Sequence, residues 1–118
     1  MKTGWLLAAC AACWLGAVAG AAAAEHQVVI DGMAFHPKVV HVRPGDTITW
    51  LNKDMFVHNV TAGAANAGSG AHSGDLAPGK SWRYTVPAGG SFDYLCSLHP
   101  VMTGRVEVEA GPKPGNAR

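Results

Sequence analysis

From Gln27 onward the apolar positions fall in short runs of Val, Ile, Thr and aromatic residues broken by Gly and Pro, with no sustained helical period. The pattern predicts strands over 27–30, 38–43, 46–52, 57–62, 80–86, 90–96 and 104–109. Alternation is clearest late in the chain. In Ser81-Trp82-Arg83-Tyr84-Thr85-Val86 the large residues recur at every second place, and Phe92, Tyr94 and Cys96 share one face, which aims Cys96 at the core with two aromatics. Pro44-Gly45-Asp46, Pro78-Gly79-Lys80 and Ala88-Gly89-Gly90 stand where the chain must reverse. About seven strands at this spacing predict an all-β domain, a Greek-key sandwich or barrel of two sheets. The Ala-, Gly-, Ser- and Asn-rich stretch 62–74 reads as a flexible surface loop.

The first residues follow a different rule. Lys2, an apolar run from Trp5 to Val18 and the small residues Ala22-Ala23-Ala24 have the form of a secretory leader over 1–24, cleaved after Ala24. Gly4, Gly16 and Gly20 interrupt the run, and nothing after Ala24 is apolar for long enough to span a bilayer. Leu7-Ala8-Ala9-Cys10 resembles a lipoprotein box, but the apolar stretch before Cys10 is short, so lipid anchoring is the weaker alternative. The reading is of one domain over 25–110 and a disordered tail over 111–118 that contains Pro112 and Pro114. Charge changes little. Nine basic residues face eight acidic ones, and loss of Lys2 with the leader leaves eight of each, which gives no field for nucleic acid or an anionic membrane.

Leader removal also takes Cys10 and Cys13, so three thiols become one, Cys96, in a compartment where thiols are normally paired. An intermolecular disulfide, a buried inert thiol and a metal-bound thiolate are the choices. The neighbours bear on it. Cys96-Ser97-Leu98-His99-Pro100-Val101-Met102 sets a thiolate, an imidazole and a thioether at intervals of three, which no single strand face accommodates and which Pro100 discourages in a helix. A loop wrapped around an ion fits better. Two sulfurs beside imidazole suit copper, particularly with a second His, and His58 in Phe56-Val57-His58-Asn59-Val60 is placed to supply it. Zinc is the competing metal and seldom uses the thioether of a residue such as Met102. Taken singly, each of these side chains is more often structural than ligating. His26, His36, His41 and His72 have no soft ligand beside them and read as surface or edge histidines.

Val57-His58-Asn59-Val60 together with the C-x2-H-x2-M run resembles the cupredoxins, the type 1 blue-copper proteins, and within them the amicyanins. Asp31-Gly32-Met33-Ala34-Phe35, the segment from Val42 to Trp50, and Phe92-Asp93-Tyr94-Leu95-Cys96 extend the likeness over most of the domain. The resemblance implies an eight-strand sandwich and one copper ion. It implies His58, Cys96 and His99 as strong equatorial ligands, Met102 as a weak axial ligand, and Asn59 as the residue tying the two copper-binding loops together. Leu98 stands where amicyanins often have proline.

With every strong position filled by protein, such an ion has no open site for substrate, so the expected role is single-electron transport rather than catalysis. The expected protein is a periplasmic monomer meeting redox partners transiently, on an apolar rim of Met33, Met55, Phe56, Pro100 and Val101 around His99. By resemblance the partners are a periplasmic dehydrogenase as donor and a c-type cytochrome as acceptor. Copper carriage or buffering on the same ligands is the alternative, and exchange of copper with a competing chelator separates the two.

Overall fold

A computed structural model describes residues 22–110. Most of the expected leader and all of the expected tail lie outside the described residues. Eight strands form two four-stranded sheets: β1 (Glu25–Asp31), β2 (Ala34–His36), β3 (Val39–Val42), β4 (Thr47–Asn52), β5 (Thr61–Ala62), β6 (Ser81–Thr85), β7 (Phe92–Cys96) and β8 (His99–Val108). One sheet has the order β2-β1-β4-β6 and the other β3-β8-β7-β5. The all-β sandwich predicted from alternation is the fold observed, with the eight strands implied by the resemblance.

Two pairs, β1 with β4 and β3 with β8, are parallel. Each strand sends alternate side chains into the space between the sheets. Val28 and Ile30, Ile48 and Trp50, and Tyr84 enter from one side, and Val40, Val42, Phe92, Tyr94, Cys96, Met102 and Val106 from the other. Each fully buried aliphatic side chain contributes about 1.5–3 kcal/mol. The centre is aromatic: Trp50 donates its Nε1–H to Tyr94 Oη at 3.2 Å, and the two rings meet edge to face at 5.4 Å. Burial pushes the Tyr94 hydroxyl up to about 12. Gly104 makes room for this ring, since a Cβ there would lie 2.4 Å from Tyr94.

Departures from the predicted strands have local causes. The pattern over 57–62 yields only Thr61–Ala62 as a strand. His58 makes an isolated bridge to Leu76, while the Asn59 and Val60 amides donate to Cys96 Sγ and Ser73 Oγ rather than to a neighbouring strand. Strand β2 escaped prediction because it has three residues. It pairs with β1 across a turn in which Gly32 and Met33 both have positive φ, 63° and 61°, as a tight hairpin of this kind requires. The stretch read as a flexible loop contains a 3-10 helix over Ala64–Ser69, and Ala71 is fully buried. Tyr84 fastens it by donating its hydroxyl to the Ser69 carbonyl.

Candidate metal centre

Cys96 ends β7, and its alternation with Phe92 and Tyr94 carries the thiol inward, where it is completely buried. Strand β8 begins at His99 rather than at Gly104, because Ser97 and Leu98 form a two-residue turn and Cys96 pairs with His99. One step back along β7, Leu95 already pairs with Thr103. Pro100, Val101 and Met102 therefore bulge from β8 without partners on β7. The bulge resolves the spacing problem. His99 folds back beside Cys96, while Met102 returns to the inward phase shared with Gly104 and Val106 and is 2% exposed. The expected loop around an ion is thus a tight turn followed by a bulged strand end.

The other side is built by the segment that fails to become a strand. His58 is fully buried, with its Nδ1 3.8 Å from Cys96 Sγ, and His99 Nδ1 lies 3.7 Å from the same sulfur. The three ligand atoms lie within 4.8 Å of one another, and the imidazole centroids are 4.9 Å apart. For metal–nitrogen and metal–sulfur lengths of about 2.0 and 2.3 Å, a trigonal ion separates sulfur from each nitrogen by about 3.7 Å. The donor set therefore fits one ion in its midst, and two imidazoles with a thiolate suit copper.

Asn59 joins the two segments. Its Oδ1 accepts from the Ser97 amide and the Thr61 hydroxyl, both at 2.9 Å, and its Nδ2 donates to Ser97 Oγ at 2.9 Å and Asp75 Oδ1 at 3.2 Å. Its amide donates to the Cys96 sulfur at 3.4 Å. The bonds to Ser97 tie the turn after β7 to the His58 segment. Asp54 was not anticipated: its Oδ2 lies 2.8 Å from His58 Nε2, and bonds from that ring and from the Met33 amide hold its carboxyl below the usual carboxylate range. A carboxylate four residues before His58 was the available signal, but on a chain read as β that interval carried no meaning.

The exposed large apolar residues are Met33, Val39, Met55, Phe56, Val57, Leu98 and Val101, and of these Leu98 and Val101, with the exposed Pro100, adjoin the half-buried His99 in the chain. Val57 and Leu98 are exposed as well and were not among the residues expected of the rim. Two clefts of about 390 Å³ each lie elsewhere on the molecule, lined by His26, His41 and Asp46 in one case and by Asn66, Pro87 and Phe92 in the other. His26, His41 and His72 join no metal cluster among the described residues, and His36 donates its Nε2–H to the Asp31 carbonyl at 3.0 Å.

A two-sheet sandwich closing a Cys–His–His cluster beneath a strand turn defines a mononuclear metal protein of the cupredoxin class. Residues 22–109 match the family model described as copper binding proteins, plastocyanin/azurin family, and the chain belongs to that family. It is 35% identical over 94 residues to the amicyanin of Paracoccus denitrificans, covering 77% of this chain and 72% of that one. It is 34% identical over 106 residues to amicyanin-alpha of Methylorubrum extorquens, covering 86% and 87%. Among solved structures, a purple cupredoxin from Nitrosopumilus maritimus superposes with a TM-score of 0.62 at 26% identity, covering 70% of this chain and 98% of that one. As a member of this family the chain is a one-copper electron carrier and not an enzyme.

Proposed function

We propose that this protein shuttles single electrons between periplasmic redox partners on one copper ion held by His58, Cys96 and His99, with Met102 as the weak axial ligand. The observation that carries the reading is the placement of two imidazole Nδ1 atoms at 3.7 and 3.8 Å from one buried thiol. Bound copper supplies the one-electron change, and the protein's part is to keep the donors where both oxidation states accept them. Asn59 does this by locking the Ser97 turn to the His58 segment, and the aromatic centre stiffens β7 behind Cys96.

His99 is the ligand nearest solvent, and the apolar rim around it suits brief docking without a large interface. The amicyanin likeness favours a dehydrogenase as donor and a c-type cytochrome as acceptor. The leader pattern over 1–24 supports export. The deciding experiment adds Cu(II) to protein beginning at Ala22 and records the visible spectrum. An intense thiolate-to-copper band is expected, and a colourless product ends the proposal.

A further inference from the structure

His58 presents one nitrogen to Cys96 and buries the other against a carboxylate. Its Nε2 is 2.8 Å from Asp54 Oδ2, and the Asp54 side chain is 11% exposed. A carboxylate accepts and does not donate, so the ring hydrogen resides on Nε2 and the Nδ1 lone pair is left facing the sulfur. The same Oδ2 accepts the Met33 amide at 3.0 Å, and Oδ1 accepts the Met55 amide at 3.3 Å. Met33 has the left-handed φ of 61°, uncommon for a non-glycine residue, and its amide is held there by Asp54.

Asp54 is itself fixed. Its amide donates to Asn52 Oδ1 at 2.9 Å, and Asn52, fully buried, donates to the carbonyls of Phe56 and Leu76. One carboxylate thus connects a ring at the thiol to the backbone of Met33 and Met55, both of them exposed.

We infer that Asp54 is a positioning residue of the metal centre: it sets the tautomer of His58, and its negative charge favours the more highly charged copper. The inference rests on His58 being a copper ligand. A hydrogen-bonded carboxylate makes the imidazole a stronger donor, and a fixed anion one ring away from the ion stabilises Cu(II) over Cu(I). A purely architectural Asp54 would have neither effect. Asparagine would then replace it without consequence, because its carbonyl oxygen can take over the bonds from His58 and Met33.

Two variants separate charge from geometry. In copper-free protein labelled with 15N-histidine, long-range 1H–15N correlation should show His58 as the Nε2–H tautomer in the parent and in Asp54→Asn. In Asp54→Ala it should show a shift toward Nδ1–H. In copper-loaded protein, voltammetry should show a higher reduction potential for Asp54→Asn with the thiolate band kept. If Asp54→Asn leaves the potential unmoved in a blue protein, or Asp54→Ala leaves the tautomer unchanged, Asp54 is only a turn residue. If Asp54→Ala does not fold, the potential of the Asn variant still decides. A parent protein without the band overturns the ligand assignment, and the inference with it.

Discussion

At one end of β4 His26 Nε2 lies 2.9 Å from Asp46 Oδ2, and just beyond the other end His58 Nε2 lies 2.8 Å from Asp54 Oδ2. The two histidine–carboxylate pairs are alike in distance and differ in what else the members touch. The His58 ring is fully buried, and its second nitrogen faces a thiol and another imidazole. The His26 ring is 25% exposed, and among the described residues no Cys or His completes a metal cluster with it. Asp46 spends its charge on the fold instead: Oδ1 accepts the Ala24 amide at 2.9 Å and Oδ2 the Arg43 amide at 3.0 Å. Those backbone bonds, followed by the bond from His26, lower its carboxyl to about 2. A histidine oriented by a carboxylate is therefore not yet a metal ligand. The donor set at the ring's other nitrogen decides, and only the His58 end has one.

The largest effect expected is at Cys96. Cys96→Ser should abolish the thiolate-to-copper band, while His26→Ala, at the other end, should leave its position and intensity unchanged. Bleaching by both would break the comparison, since it would make the far pair part of the copper chemistry.

Next in size is Asp46. In protein beginning at Ala22, which keeps the Ala24 amide, removing a buried carboxylate that organises two amides and a ring costs about 2–3 kcal/mol, so Asp46→Ala should lower the urea midpoint without altering the copper spectrum. The pH dependence follows in sign. A carboxyl lowered from 3.8 to about 2 on folding stabilises the native state fully above its unfolded value, and this contribution fades as pH falls between those two values. Asp54 and Glu107, also lowered, titrate in the same direction. The difference between the parent and Asp46→Asn isolates the Asp46 share: the gap in urea midpoint should be steady above about pH 5 and narrow toward pH 2. A gap independent of pH would show that Asp46 acts by shape rather than charge.

The same contrast explains what the sequence revealed. Period-two alternation survives translation into sheets, so Phe92, Tyr94 and Cys96 were placed on the inward face before any coordinates. The side chains at 96, 99 and 102 stood out because intervals of three fit no strand face and Pro100 disfavours the helix that would otherwise align them. The way the chain reconciles them, a bulge of three unpaired residues, was not legible, since register depends on which strand lies alongside. Asp54 and Asp46 were hidden for a related reason. Each acts through backbone amides far away in sequence, Met33 and Ala24, and no local pattern records such a partner.

The smallest effect expected concerns the surface over His99, and it sharpens the contrast between the two ends. Val101 is 86% exposed, so its replacement should change stability by less than about 0.5 kcal/mol. Electron self-exchange between reduced and oxidised copies requires two ligand edges to approach, and if the rim is the approach surface, Val101→Lys places like charges face to face. Repulsion between exposed charges of about 0.5–1 kcal/mol corresponds to a two- to fivefold slower exchange, relieved by added salt. His41 is 62% exposed near Glu109 at the opposite end, and His41→Lys adds the same charge there. Self-exchange measured by NMR line broadening should slow for the first variant and not for the second. Equal slowing would mean that net charge, rather than the apolar rim, governs the encounter, and the rim would lose its claim as the electron's way out.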